Sequence, residues 1–200
     1  MTAIGILSAS SELKTTDHHT SVNSKTKESQ YQRCLDVAQK ERTELGLMTN
    51  QAWHDDPKHL VFTLSRYKFV SKMLAGRDHV LEVGCADAWG TRLVVQTVNE
   101  LTAADFDPVF VEDVNTRMEE KWKFNCIVHD MLTGPVPGQF DAAYALDVIE
   151  HIPADDENAF VGNMAGSLNA HGIMILGSPS IQSQVHASRL SKEGHVNCKD

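Results

Sequence analysis

From His79 onward the hydrophobic residues gather into short runs separated by stretches with helical spacing. The apolar runs His79–Val83, Leu101–Ala104, Phe124–Val128, Phe140–Leu146 and Gly172–Leu176 have the length of strands. Between them, Thr91–Glu100, Pro108–Met118 and Asp155–Leu168 follow a helical period. In the last, Phe160, Met164 and Leu168 fall at i, i+4 and i+8 behind a cap at Asp155 and Asp156. Strands that alternate with helices predict an α/β fold with a doubly wound, mostly parallel sheet covered on both faces.

The part before the sheet reads as helical. Tyr31–Leu45 is rich in good helix formers, and Gly46 is placed to end that helix. A second helix opens at Asp56 with Pro57 in its first turn. It carries Leu60, Leu64, Tyr67, Phe69 and Val70 towards Leu74 and stops at Gly76. Trp53, Tyr67 and Phe69 read as packing residues of these leading helices. Residues 8–30 hold almost no large apolar side chains and read as a mobile tail, in which His18-His19 is too short for a metal tract. The expected division is a tail over 1–30, helices over 31–76 and a Rossmann-like domain over 77–200.

Composition narrows the function. A chain of 200 residues that is 42% hydrophobic builds one sizeable core. Its formal charge of −9 gives no basic footprint for a nucleic acid. Cys34, Cys85, Cys126 and Cys198 form no CxxC pair, so neither a metal site nor a disulfide framework is expected. The short apolar stretch Ile4–Leu7 lacks the features of a signal peptide, and no run reaches membrane-spanning length. These features predict a soluble, cytoplasmic protein with no nucleic-acid or membrane partner.

Ligands of such sheets bind beyond the carboxyl ends of the strands, so the residues that follow each apolar run carry the functional signal. After the first run, Gly84-Cys85-Ala86-Asp87-Ala88-Trp89-Gly90 is a small-residue turn that lets backbone approach a ligand closely. Asp105 lies 21 positions beyond Gly84 (84 to 105), the interval at which an acidic residue meets a ribose diol. Asp107, just before Pro108, fits a helix cap. His129-Asp130-Met131 follows the third run, and Leu146-Asp147-Val148-Ile149-Glu150-His151 ends the fourth. Glu119-Glu120-Lys121 reads as a solvated helix end.

Four segments, Leu-Glu-Val-Gly-Cys (81–85), Ala-Asp-Phe-Asp-Pro (104–108), the stretch Phe140–Pro153 and His-Gly-Ile-Met-Ile-Leu-Gly-Ser-Pro-Ser (171–180), together resemble the ordered motifs of class I S-adenosylmethionine-dependent methyltransferases. The resemblance implies S-adenosylmethionine as cofactor and methyl transfer to a small-molecule acceptor or, second, to a protein side chain. It implies that Glu82 and Gly84 receive the methionine portion, Asp105 and Phe106 the ribose and base, and Asp130 and Met131 the adenine; Ala86, in the same turn, is also expected at the cofactor. Leu146 and Asp147 would face the sulfonium and substrate, with His151 near the substrate entrance. Because imidazole titrates near neutrality, His151 and His195 are the candidate catalytic bases.

Two departures stand out. Ala86 and Ala88 occupy positions where the family usually has Gly, and a left-handed backbone there strains Ala. The family's last two strands have no counterpart before Asp200, so either the sheet is abbreviated or the protein has been shortened, and Ser188–His195 falls where a substrate-proximal loop is expected. A non-catalytic protein that keeps the fold, and a nucleotide-dependent oxidoreductase, are the rival readings; the second requires a GxGxxG turn that residues 84–89 do not supply.

Overall fold

The computed structural model describes residues 25–38 and 42–200. Ile4–Leu7, His18-His19 and most of the expected tail lie outside the described residues. The chain divides into two compact units, Met1–Thr43 and Glu44–Asp200. In the first, a single helical turn at Ser29–Tyr31 leads into α1 (Gln32–Ala38), and neither buries a residue.

The second unit holds five strands: β1 (His79–Val83), β2 (Glu100–Asp105), β3 (Asn125–Val128), β4 (Phe140–Leu146) and β5 (Leu168–Gly177). All pair in parallel in the order β3-β2-β1-β4-β5. The order reverses between β1 and β4, where a doubly wound sheet opens a crevice for ligand.

The faces of β1 follow strand alternation. Val80 packs with Tyr67, Val70 and the capping Leu74 of α3 (Lys58–Met73), Val94 of α4 (Thr91–Val95) and Val111 of α5 (Pro108–Thr116). Leu81 and Val83 pack on the other side with Phe140, Phe160 and Met164, the last two from α6 (Glu157–Gly166). Helices therefore cover both faces.

Several expected boundaries move. Gly46 does not end a helix; it stands at the N-terminus of α2 (Leu47–Asp55), an element absent from the sequence reading. A Cβ at Gly46 would lie 2.5 Å from Asp87 Cβ, so the glycine is required by close approach. The helix expected over Thr91–Glu100 stops at Val95, because Glu100 already pairs in β2. Asp156 occupies the cap position of α6 without a side-chain bond, and Leu168 begins β5 rather than continuing the helix. Tyr67 is buried as expected. Trp53 and Phe69 are each 57% exposed, so neither is a packing residue.

Among the described residues β5 is an edge strand of this sheet. The segment beyond it turns back toward β4: Val196 N and Asn197 N both donate to Glu150 O, at 2.8 and 3.0 Å. Ser188–His195, expected as a loop, contains the short helix α7 (Arg189–Gly194).

Candidate active site

The turn after β1 is built by backbone conformations that side chains resist. Gly84 has φ of 73°, Ala86 46° and Ala88 51°. A Cβ on Gly84 would meet Val148 Cγ2 at 2.4 Å. The left-handed region costs an L-residue about 1–2 kcal/mol, and the surroundings hold it in place. Gly84 N and Cys85 N donate to Ala104 O at 2.8 and 3.2 Å, and Ala88 N donates to Cys85 O at 2.8 Å. Ala86 N donates to Asp105 Oδ2 at 2.8 Å. From outside the turn, Thr49 N donates to Asp87 Oδ2 at 2.6 Å, and Arg117 Nη2 to Asp87 O at 3.0 Å.

Beyond the carboxyl ends of β1, β2, β3 and β4 lies a cavity of about 630 Å³, within the range of small-molecule sites. Of the residues singled out in the sequence, Gly84, Ala86, Asp105, Phe106, Asp130, Met131, Asp147 and His151 line it. Asp105, 5% exposed, accepts from Ala86 N through Oδ2 and from Asp107 N through Oδ1 at 3.0 Å. It thereby ties the β1 and β2 ends together. Asp107 caps α5 through Val109 N, as the sequence suggested. Phe106 is largely exposed, Met131 is buried, and Asp130 Oδ1 accepts from Leu132 N at 2.9 Å.

Glu82 and Leu146 do not line the cavity. Glu82 is 1% exposed, on the side of β1 opposite Leu81 and Val83. Its Oε1 accepts from Tyr67 Oη at 2.7 Å, and its Oε2 from Thr91 Oγ1 at 2.6 Å and Tyr144 Oη at 2.7 Å. Burial pushes the Glu82 carboxyl up to about 7 although three hydroxyls favour its charged form. Its carboxylate is thus engaged by three hydroxyls behind the turn.

The end of β4 is equally constrained. Asp147 has φ of 57°, forms an ion pair with Arg66 on α3, and leaves Oδ1 buried without a partner. Burial raises its carboxyl above the usual range against the pull of Arg66. His151 and His195, 44 positions apart (151 to 195), stand with ring centroids 5.0 Å apart. Burial lowers the His195 imidazole, and His151 adds to that. The sequence carries no signal for Arg66, which sits on a distant helix with no motif around it, and marks Glu150 only as the neighbour of His151.

Residues 80–172 match a family model described as a methyltransferase domain. A probable S-adenosylmethionine-dependent methyltransferase of Mycolicibacterium smegmatis is 29% identical over 142 residues, 70% of this chain and 50% of the relative. A second methyltransferase, from Mycobacterium tuberculosis, is 26% identical over 115 residues, 57% of this chain and 40% of the relative. The chain thus spans half or less of the curated methyltransferases it matches. The solved N-methyltransferase NodS of Bradyrhizobium japonicum shares the methyltransferase fold at a TM-score of 0.59 and 20% identity, over 73% of this chain and 79% of that one. No described helix is long and apolar enough to cross a membrane.

Proposed function

We propose that the protein transfers the methyl group of S-adenosylmethionine to a small-molecule acceptor. The observation that carries this reading is the cavity at the β-strand ends with Asp105 on one wall and Asp147 on another. The residues fit the cofactor. A carboxylate stands at the end of β2, the buried Met131 and the exposed Phe106 offer apolar surface for a base, and the strained turn brings backbone to the cavity wall.

In this reading Asp105 holds the ribose hydroxyls, Phe106 and Met131 flank the adenine, and Asp130 adds a polar contact to the base. The backbone at Gly84 and Ala86 takes the methionine end. Glu82 is a positioning residue that fixes the turn through Thr91 and Tyr67. When bound, the cofactor supplies an electrophilic sulfonium methyl, and the protein's task is to align the acceptor and exclude water. Asp147, held by Arg66, faces the acceptor side, and His151 removes a proton when the acceptor is a hydroxyl. His195, 5.0 Å from His151 between ring centroids, supports it from behind. The charge of −9 favours an acceptor that is not a polyanion, as a cytoplasmic small-molecule enzyme would use.

Titration calorimetry with S-adenosylmethionine, S-adenosylhomocysteine and NAD tests the reading. Both sulfur ligands are expected to bind and NAD not to; the opposite result would sink it. Asp105→Ala is expected to weaken both sulfur ligands by about 1.5–3 kcal/mol. Binding without turnover of any acceptor would favour the second reading, a non-catalytic protein that keeps the fold.

A further inference from the structure

Glu150, His151 and His195 bring one donor atom each to within 4.8 Å of one another at the edge of the cavity. Glu150 has no exposed surface, and both of its carboxylate oxygens lack a hydrogen-bond partner. A buried carboxylate without a partner is costly, which calls for a compensating charge. Arg66 pairs with Asp147 through Nη2 and also attracts Glu150 through space, but donates no hydrogen bond to it.

The two imidazoles are held as metal ligands are held. His151 Nδ1 lies 2.9 Å from Gly194 O, and His195 Nδ1 lies 2.8 Å from Gln184 Oε1. A carbonyl oxygen only accepts, so each Nδ1 carries the proton and each Nε2 keeps its lone pair free. An outer N–H fixed by a carbonyl is the usual support of a ligating histidine. The backbone adds a second tie, since Val196 N and Asn197 N, the two residues that follow His195, both donate to Glu150 O.

The geometry points to a divalent transition-metal site formed by Glu150, His151 and His195. Two imidazole nitrogens and one carboxylate suit zinc, manganese or iron(II) better than magnesium or calcium, which prefer all-oxygen sets. Ligand bonds of about 2.0–2.2 Å hold donors closer than they stand here, so binding would draw the three side chains together. Because His151 also lines the cavity, the ion would sit in its wall. From the sequence no metal is expected, because the Glu150-His151 pair alone is not a metal motif and His195 is remote in sequence. This inference does not depend on the methyl-transfer reading, and its test uses no S-adenosylmethionine; with the ion bound, the Nε2 lone pair of His151 is given to the metal, and His151 is then a ligand rather than the base.

The test is calorimetric titration of the chelator-treated full chain with Zn²⁺, in a His18→Ala/His19→Ala background that removes the paired histidines of the N-terminal segment. One ion per chain is expected, with a Co²⁺ derivative giving a visible d–d band. His195→Ala and His151→Ala should each weaken Zn²⁺ by tenfold or more and abolish the cobalt band, whereas His59→Ala on α3 should change neither. Gln184→Leu, which only releases the His195 ring, should cost about 10–100-fold. Glu150→Gln keeps the shape of the side chain and should also weaken Zn²⁺ at least tenfold, so a folding defect in a histidine variant does not shield the inference. Absence of one-to-one binding, or unchanged affinity in Glu150→Gln and in folded His195→Ala, overturns it.

Discussion

Tyr67 on α3 donates a 2.7 Å hydrogen bond to Glu82 on β1, linking the helix that precedes the sheet to the strand that opens the site. Thr91 and Tyr144 donate to the same carboxyl, and Asp105 and Cys85 lie close enough to raise it or be raised by it. Glu82 has its pKa raised to about 7 from 4.5, so the folded state binds a proton that the unfolded chain releases between those values. The contribution is fully present below 4.5 and is lost as pH rises through about 7. We expect the denaturation midpoint of Glu82→Gln to fall less between pH 5 and pH 8 than that of the wild type. Parallel slopes in the two proteins would remove the argument.

Ala86 and Ala88 share a left-handed backbone but not an environment. Ala86 is partly exposed, so Ala86→Gly relieves strain of about 1–2 kcal/mol against about 0.4–1 kcal/mol of added unfolded-state entropy. Ala88 is buried and also gives up about 0.8 kcal/mol of methyl burial. Ala86→Gly is expected to raise the melting temperature and Ala88→Gly to leave it nearly unchanged. Equal shifts in thermal unfolding would contradict this.

Gly46→Ala drives a methyl into Asp87 and Arg117, at 2.5 and 2.6 Å. A loss of about 1–3 kcal/mol is expected from overpacking. Gly162→Ala in α6, whose added Cβ meets nothing within 4 Å, should instead gain about 0.5–1 kcal/mol from helix propensity. Urea denaturation of the pair separates the two effects.

Arg66→Met removes the partner of Asp147. The pair is about one-third exposed on each side, so the stability cost should be modest, about 1 kcal/mol or less. The larger expected effect is on methyl transfer, where a released Asp147 should lower kcat more than tenfold with little change in S-adenosylmethionine affinity. A loss confined to cofactor binding would place Arg66 at the other end of the site.

Much of the fold was legible because strand runs are short, apolar and separated by helical periods. β1 and β4 occupy the residues that the pattern assigns, and Asp107 caps α5 as its position before Pro108 implies. α2 was not legible, since Leu47, Met48 and Trp53 are exposed and leave no apolar stripe to read. Glu82 carried an unused signal: alternation along β1 sets it on the face opposite Leu81 and Val83. The meeting of His151 and His195 has no local signature, because it depends on how residues 178–197 return to β4.

The return of that segment makes the site a reporter of its own integrity. Val196 and Asn197 share one carbonyl acceptor, so their amide protons lose protection together when this tether opens, while the amides of β1 and β4 stay slow to exchange. Isotope exchange at two backbone positions would therefore measure how often His195 parts from His151, in a protein whose sheet is still intact.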